Sequence, residues 1–258
     1  SVLMKYPDRA TVCISSQAGC GMACPFCATG QAGLTRNLSA GEITAQVFEA
    51  SKILEAGLMG EPIRLSNIVF MGMGEPLLNY SNVLRAIERI TAEDGLGMSP
   101  RRITVSTAGV AKQIKKLGDD GVRFKLALSL HAANDVKRNE IMPINETNNI
   151  RVLIDALNYF YKKTGNEITF EYILFKDFND SLKDADELVK IYRQVPADLV
   201  NIIEYNPIDF FNYTKPDEEG IERFMSYLEK NRVNARLRRS RGKDIDAACG
   251  QLANKDRL

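Results

Sequence analysis

The sequence predicts an α/β protein built on a parallel sheet that helices cover. Short β-branched runs alternate with amphipathic stretches of helical length, about six times along the chain. The runs are largely apolar, as expected of strands buried on both faces. No internal repeat, low-complexity tract or linker rich in proline, glycine or serine divides the 258 residues, so we expect one domain over 1–258.

The strand candidates are the short β-branched runs, and the helix candidates lie between them. Strands are expected at Thr11–Ser15, Asn67–Met71, Arg102–Ser106, Phe124–Leu130, Glu167–Leu174, Leu199–Tyr205 and Val233–Arg238. Helices are expected near Ala40–Glu55, Asn82–Thr91, Val110–Leu117, Ile150–Lys163, Ser181–Gln194 and Asp217–Asn231. The first helix has a defined start, because the Ser39 oxygen can accept from the Glu42 N–H while Glu42 reaches back.

Polar or cysteine-containing segments follow five of the predicted strands. In parallel sheets the reactive groups lie in the loops after the carboxyl ends of the strands. These segments are the loop from Cys20 to Cys27, Phe70–Pro76, Ser106-Thr107, Ser129–His131 and Asn206-Pro207. We therefore expect these loops to converge on one rim.

Composition and cysteine usage are typical of an intracellular enzyme. The net charge of +1 neither demands nor excludes a nucleic-acid partner. No apolar run approaches the roughly 20 residues of a membrane span, and no signal-peptide pattern is present. Five cysteines, three of them clustered, disfavour a secreted disulfide framework. We predict a cytoplasmic monomer without membrane contact.

The most informative segment is Cys20-Gly-Met-Ala-Cys24-Pro-Phe-Cys27. Three thiols at this spacing can bind one [4Fe–4S] cube and leave its fourth iron open to a small molecule. Phe26, just before the last cysteine, would shield the cube from water. A structural zinc site needs four closed ligands, and only Cys13 is available as the fourth, so the cube is favoured.

Several strand-end residues suit a ligand with nucleoside and amino-acid parts. Gly72–Pro76 contains glycines that let a backbone approach closely, and Glu75 can accept from an ammonium group. A plain tight turn is the alternative, and the glycines do not complete a dinucleotide fingerprint. Ser106, His131 and Asn206 are candidates for hydrogen bonds to a nucleoside, whereas a lone histidine is more often structural.

A basic run overlaps the last predicted strand. Arg236-Leu-Arg238-Arg239-Ser-Arg241-Gly-Lys243 places five cations within eight residues. A solvated strand edge is the usual explanation, but beside a reactive loop such a run favours phosphate binding. Arg36 and Arg101-Arg102 could extend this surface for RNA.

Cys13 and Cys249 do not fit the cluster spacing. Buried free cysteine is commonly just a small hydrophobic residue. Cys249, however, lies among small residues in Ala247-Ala-Cys-Gly-Gln251, which would let a bulky group approach the sulfur. Two spare thiols in a cluster enzyme suggest a redox or nucleophile pair.

Together these motifs resemble the RlmN/Cfr family of radical S-adenosylmethionine (SAM) RNA methyltransferases, and most of all its adenine-C2 branch. Cys-x3-Cys-x-aromatic-Cys is the radical SAM signature, and the match runs from Tyr6 to Leu252. Its most specific pieces are Cys13–Cys20, Met71–Asn79, Ser129–His131 and Arg241–Leu252. The resemblance implies a partial (β/α)6 TIM-like barrel of the radical SAM type.

The resemblance also implies a site. Cys20, Cys24 and Cys27 would hold one [4Fe–4S] cluster, whose open iron binds SAM. Cys249 would become S-methylcysteine, and Cys13 would resolve the covalent intermediate. The expected SAM contacts are Gly74, Glu75, Ser106, Ser129, Leu130, His131 and Asn206.

The implied reaction methylates C2 of an adenosine in 23S rRNA, at the peptidyl transferase centre, and in the tRNA anticodon loop. A first SAM methylates Cys249, and a second yields a 5′-deoxyadenosyl radical that takes a hydrogen atom from that methyl group. The carbon radical adds to C2, which then loses its proton. Cys13 attacks Cys249, so that the methylated RNA is released and the two cysteines form a disulfide. An external electron donor such as flavodoxin is expected.

The sequence departs from the family pattern at its start. The family's N-terminal accessory RNA-binding domain is expected to be absent from this chain, and its general-base glutamate would fall just before residue 1. We therefore expect the chain to methylate Cys249 but to turn over RNA weakly and accumulate a covalent adduct.

Three alternatives remain open on sequence alone. The first is Cfr-like methylation of adenosine C8, which uses the same residues. The second is a radical SAM activase that generates a glycyl radical on a protein partner. The third is a ferredoxin-like electron-transfer module, which would need a fourth cluster ligand.

Overall fold

The computed structural model describes residues 1–209, 211–239, 242 and 248–252. Its strands are β1 (Val2–Lys5), β2 (Ala10–Cys13), β3 (Gln17–Gly19), β4 (Leu34–Asn37), β5 (Asn67–Phe70), β6 (Ile103–Thr107), β7 (Lys125–Ser129), β8 (Ile168–Leu174), β9 (Leu199–Glu204) and β10 (Ala235–Arg238). Its helices are α1 (Ala28–Gln31), α2 (Ala40–Glu55), α3 (Tyr80–Thr91), α4 (Ala111–Asp119), α5 (Asp135–Ile141), α6 (Ile150–Thr164), α7 (Leu182–Tyr192) and α8 (Glu218–Lys230). Short 3₁₀ turns cover Pro76–Asn79, Pro100–Arg102 and Pro143–Glu146.

Eight strands form one sheet in the order β1-β2-β5-β6-β7-β8-β9-β10. β1 runs antiparallel to β2, and every later neighbour pair is parallel. Residues from all eight strands line one cavity of about 490 Å³, because the sheet curls around it. The α/β class and the partial (β/α)6 barrel are therefore confirmed, and the curled sheet is a half-barrel.

The two faces of the half-barrel differ in chemistry. On β8, Ile168, Phe170 and Tyr172 are fully buried in the core beneath the helices, whereas Thr169 and Glu171 point into the cavity. The expectation of strands apolar on both faces is wrong in this respect. Because β1 and β10 lie at the two edges and do not pair, the sheet stays open, and its concave face lines a cavity that carries polar residues.

The predicted elements all form, with ends that differ by about two residues. The Ser39–Glu42 capping box is present at the start of α2, and Ser181 and Asp184 form a second box at the start of α7. Each long helix packs outside the sheet and returns the chain to the end where the next parallel strand begins.

Four elements were not predicted: β1, the β3–β4 hairpin, α1 and α5. Each spans seven residues or fewer, too short for periodicity to separate it from a loop. The hairpin matters for function, because the cysteine loop connects its two strands.

None of the helices in the described ranges combines the length and apolar character that a membrane span needs.

Candidate active site

The cysteine loop is fixed at both ends by backbone contacts. The Cys20 N–H donates to the Gly33 carbonyl over 2.9 Å, where β3 and β4 meet. A Cβ at Gly19 would lie 1.9 Å from that same carbonyl oxygen, so only glycine fits there. At the far end, Cys27 is the residue that starts α1. The loop is therefore shaped by protein contacts.

The donor set of the loop suits an iron–sulfur cluster. Burial and the charges of the neighbouring thiols raise the pKa of Cys20 to about 11 and raise that of Cys24 further. Three mutually repelling soft thiolates need a cationic partner to exist together, and a cluster supplies one. Among the described residues, no three His, Cys, Asp or Glu side chains form a group that could hold a single ion. A cube differs because each thiolate binds a different iron, so the donors fit a cube and not a closed zinc site.

An aromatic wall backs the cysteine loop. Phe26 is buried and its ring packs edge-on against His131 with 5.1 Å between centroids. Phe175 and Phe211 lie 5.7 and 6.5 Å from the Phe26 ring. These rings exclude water from one side of the loop, which agrees with the shielding predicted for Phe26.

His131 is held neutral in the core. Its backbone lies in the left-handed region at φ 55°, and its Nδ1 accepts from the Ile173 N–H over 3.2 Å. Burial and the nearby Arg138 cation lower the pKa of His131 to about 3. With Nδ1 accepting, the ring proton lies on Nε2. This supports a hydrogen-bonding role for His131 and argues against proton transfer by it near pH 7.

Glu75 ties two strand-end loops together. One carboxylate oxygen accepts from the Leu77 N–H over 3.0 Å and the other from the Ala108 N–H over 2.7 Å. Burial raises the pKa of Glu75, and these hydrogen bonds oppose the rise. With the Thr107 side chain also bonded to this carboxylate, one of its roughly four acceptor positions is left for a further donor, and an ammonium contact remains a prediction.

The glycines before Glu75 are required by the protein itself. A Cβ at Gly74, where φ is 101°, would lie 2.5 Å from Cβ of Gln17, and one at Gly72 would lie 2.7 Å from the Ile14 carbonyl oxygen. They let the loop pack against the segment after β2, which is a reason the sequence did not give, and close approach to a ligand stays a prediction. Contact of Gly74 with SAM stays a prediction.

The remaining predicted SAM contacts share the same end of the sheet. The hydroxyls of Ser106 on β6 and Ser129 on β7 are 3.4 Å apart. Leu130 is buried directly after β7. Asn206 follows β9 and donates to the Cys249 carbonyl over 3.2 Å. The structure thus brings these residues to one rim, as the order of strands predicted.

Sequence analysis missed Arg138, a fully buried cation beneath this rim. Its guanidinium donates to carbonyl oxygens of Leu130 at 3.0 Å, Ala108 at 2.7 Å and Ser129 at 3.2 Å, and to Asn145 Oδ1 at 2.7 Å. It therefore joins the loops after β6 and β7. Arginine on a short helix usually points to solvent, so no local signal in the sequence marks it.

Cys13 and Cys249 line the same cavity, together with Cys27. Cys13 is buried on β2, and burial plus the charge of the Cys249 thiolate raise its pKa to about 12. Cys249 is exposed to solvent within the concavity. Surrounding protein atoms raise the pKa of Cys249, while the Arg238 cation opposes the rise.

The segment around Cys249 is bonded to the cysteine loop. The Ala28 N–H donates to the Gly250 carbonyl over 2.8 Å, and the Thr29 hydroxyl donates to the Leu252 carbonyl. A Cβ at Gly250, where φ is 84°, would come within 3.3 Å of the Phe26 carbonyl oxygen. The two loops are therefore held in register by backbone contacts.

The sequence matches the profile described as Radical SAM superfamily over residues 14–189. It is 54% identical over 255 residues to a probable dual-specificity RNA methyltransferase RlmN of Cytophaga hutchinsonii, covering 99% of this chain and 69% of that protein. A protein of the same name from Bifidobacterium adolescentis is 48% identical over 262 residues and is covered to 68%. The chain belongs to the RlmN family of radical SAM RNA methyltransferases.

Solved structures agree with this family. A radical SAM methyltransferase from Sphaerobacter thermophilus is 45% identical and superposes with a TM-score of 0.91, over 96% of this chain and 72% of that one. SuiB of Streptococcus suis bound to S-adenosylmethionine is 15% identical with a TM-score of 0.62, and shares the fold alone. Membership of the RlmN family decides against the glycyl-radical activase and the electron-transfer module.

The cavity also holds a carboxylate that the sequence did not predict. The Glu171 carboxylate is buried there and accepts from Asn201 Nδ2 at 2.8 Å, Thr169 Oγ1 at 3.2 Å and Arg238 Nη1 at 3.2 Å. Burial raises the pKa of Glu171 against these contacts. The signal was the period-two spacing of Glu167, Thr169 and Glu171 within a strand otherwise apolar.

The described cations of the predicted basic run, Arg236, Arg238 and Arg239, all line the cavity. Arg238 pairs with Glu171 at 3.2 Å, and Arg239 pairs with Glu218 at 2.9 Å. Because strand side chains alternate between faces, Leu237 packs against the core on the opposite face. Arg36 pairs with Glu42 at 2.7 Å. Arg241 and Lys243 lie outside the described residues.

Proposed function

We propose that this protein methylates C2 of an adenosine in 23S rRNA and in tRNA, with Cys249 carrying the methyl group and Cys13 resolving the intermediate. The observation that supports this most is the cavity shared by Cys13, Cys249 and the cluster-loop residue Cys27. RNA as the substrate class is supported by relatives named dual-specificity RNA methyltransferases, and the choice of 23S rRNA and tRNA comes from the family resemblance of the motifs. Residues 1–258 act as one radical SAM core domain.

A methyl carrier is needed because of the chemistry of adenine. C2 is an electron-poor sp2 carbon without a nucleophilic lone pair, so it cannot displace a methyl group from SAM directly. A thiolate can, and the methyl group then waits on the protein within reach of the nucleobase. Two non-cluster thiols in one cavity supply both the carrier and the group that later releases it.

Accessibility favours Cys249 as the carrier, because Cys249 is exposed and Cys13 is buried. Burial raises the pKa of both thiols, that of Cys13 to about 12, and the Arg238 cation opposes the rise for each. Once Cys249 carries a methyl group it has no charge, and one cause of the raised Cys13 pKa disappears. Methylation of Cys249 therefore makes Cys13 easier to ionise, which suits its role as the second thiol to react.

The rim residues hold and orient the cofactors. Cys20, Cys24 and Cys27 would bind the cluster, and Glu75, Ser106, Ser129, Leu130, His131, Asn206 and Gly74 would bind SAM. When bound, the cluster and SAM supply a transferable methyl group and one-electron chemistry. The neutral His131 and the hydroxyls of Ser106 and Ser129 offer hydrogen bonds to a nucleoside without adding charge. The Phe26 wall keeps water from the loop, and an external donor such as flavodoxin supplies electrons.

The first test follows the methyl group. Protein is expressed with cluster-assembly machinery, and the peptide containing Cys249 is examined by mass spectrometry. We expect a mass gain of one methylene in the unaltered protein and in Cys13→Ala, and none in Cys249→Ala. A methylated Cys13 peptide, or no methylated peptide at all, would contradict the assignment.

The second test follows the nucleoside. RNA carrying the target adenosine is incubated with the loaded protein, digested and analysed by mass spectrometry against 2-methyl and 8-methyl adenosine standards. We expect the 2-methyl product, and for Cys13→Ala a protein–RNA adduct that resists denaturation. The 8-methyl product would assign the Cfr-like reaction instead.

A further inference from the structure

Four exposed arginines surround the end of the half-barrel at which the parallel strands begin. Arg101 and Arg102 immediately precede β6. Arg123 lies just before β7, and Arg236 is the second residue of β10. We call this set the basic floor, because it lies opposite the rim that holds the cysteine loop.

The basic floor lines two adjoining cavities. Arg101, Arg102 and Arg236 line the lower part of the cavity of about 490 Å³ inside the half-barrel. Arg101 and Arg123 line a second cavity of about 260 Å³, which also includes Lys163. Since Arg101 belongs to both, the two cavities meet at its side chain. The four guanidinium groups thus converge on one recessed surface.

The arginines of the basic floor have no acidic partner. Other cations at this end are paired: Lys125 with Glu167 at 2.6 Å, and Lys163 with Asp119 at 3.9 Å. Within the described part of the chain, no ion pair or side-chain hydrogen bond involves any of the four floor arginines. Asp198, at the same end, accepts from the Ile168 N–H at 2.9 Å and lines neither cavity. The floor therefore carries an excess of four positive charges.

We propose that the basic floor binds backbone phosphates of the RNA strand that flanks the target nucleotide. Exposed guanidinium groups in a recess are the usual receptors for phosphate oxygens, since each presents several donors in a fixed plane. The inference rests on the proposed function, which makes RNA the substrate. It adds a second contact surface at the end of the barrel opposite the chemistry.

The cavity itself links the two ends. Cys13 and Cys249 line its upper part, and Arg101, Arg102 and Arg236 its lower part. Along β6, the four steps from Arg102 to Ser106 span roughly 13 Å at about 3.3 Å per residue. The strand register places Cys13 level with Thr104, so Arg102 lies two residues below Cys13 along the sheet. The floor suits the phosphates of nucleotides next to the target, whose contacts position the strand without reading its sequence.

The test measures RNA affinity as a function of salt. A fluorescent single-stranded RNA with a central adenosine is titrated with the loaded protein, with Arg101→Gln/Arg102→Gln and with Arg236→Gln. For two lost phosphate contacts we expect affinity to fall on the order of tenfold and the slope of log affinity against log salt to fall by about 1.4. Arg85→Gln on the outer helix α3, which lines neither cavity, is the matched control and should leave both unchanged.

RNA length gives a second readout that a folding defect would not imitate. Adenosine itself carries no phosphate, so the double variant should bind it as tightly as the unaltered protein does. Thermal unfolding and cluster absorbance verify that each variant is folded and loaded. If the variants bind the long RNA with unchanged affinity and salt slope, the proposal is wrong.

The outcome separates this proposal from the proposed function. Methylation of Cys249 in the unaltered protein tests the methyl-carrier mechanism without any RNA. If Cys249 is methylated while the floor variants behave like the control, only the floor proposal fails. If Cys249 is never methylated but the floor variants lose RNA affinity, the reverse holds.

Discussion

Both ends of the half-barrel carry polar side chains. At the rim these are buried and hydrogen-bonded, whereas the floor arginines are exposed and form no ion pair with any described residue. At the rim, Glu75, His131 and Arg138 each bond to backbone groups that hold them in one position. At the floor, Arg102 and Arg236 meet solvent. A rim of this kind is preorganised for a small molecule, whereas the floor offers charge to a long, flexible anion.

The largest expected effect is the loss of the buried cation at the rim. Arg138→Met would leave the carbonyl groups of Ala108, Ser129 and Leu130 without a partner, so we expect the free energy of unfolding to fall by about 4 kcal/mol. Arg102→Met at the floor removes an exposed, unpaired cation and should change it by less than about 0.5 kcal/mol. Urea unfolding of the two variants measures the difference, and equal losses would show that the two ends do not differ in this way.

His131 gives the rim a pH-dependent contribution to stability. His131 has a pKa of about 3 in the folded protein, and an unfolded histidine titrates near 6.5. Between these values the unfolded chain binds more protons, so the stabilisation is complete above about pH 6.5 and is lost as the pH falls toward 3. As the pH falls through this range, we expect the free energy of unfolding to decrease more steeply than in His131→Asn, by about 1.4 kcal/mol per pH unit.

Urea titrations between about pH 6.5 and about pH 4.5 measure this slope. Comparison with His131→Asn is necessary because Glu75 and Glu171 have raised pKa values and contribute with the opposite sign as the pH falls. Parallel curves for the two proteins would mean that His131 is not held neutral by the fold.

The smallest expected effect concerns the ion pair between Glu167 and Lys125 beside the floor. Glu167→Gln releases Lys125 from its 2.6 Å ion pair and adds one free cation to the cavity. RNA should bind about two- to threefold more tightly, with a salt slope steeper by about 0.7. Stability should change by less than about 1 kcal/mol, since the pair is half-exposed.

Glu49→Gln is the matched control for that variant. It releases Lys52 from a 2.8 Å pair on the outer helix α2, so it makes the same change in net charge away from the cavity. Equal gains in RNA affinity from both variants would indicate a general effect of net charge and would count against the floor as a site.

The order of elements could be predicted because each has a strong local cause. β-branched runs mark the strands, and the Ser39–Glu42 capping box marks the start of α2 where the structure has it. The rim could also be predicted, since parallel strands must end on the same side. The cysteine loop needs only its spacing. These features depend on residues close together in the chain.

What could not be predicted depends on curvature and on contacts distant in sequence. Thr169 and Glu171 lie in a strand that is otherwise apolar, and only the curl of the sheet creates a polar interior for them. Arg138 looks like a surface residue until the loops after β6 and β7 close over it. The basic run gave no sign that Arg238 pairs with Glu171 and Arg239 with Glu218, because both partners are distant in the sequence.

The β3–β4 hairpin affects how the folded protein responds to oxygen. It anchors the mouth of the cysteine loop through the bond from Cys20 to Gly33, and the anchor contains no sulfur–iron link. Oxygen that destroys the inorganic cube would therefore leave the polypeptide scaffold standing. Iron and sulfide can then be restored to an intact cysteine loop without refolding the chain.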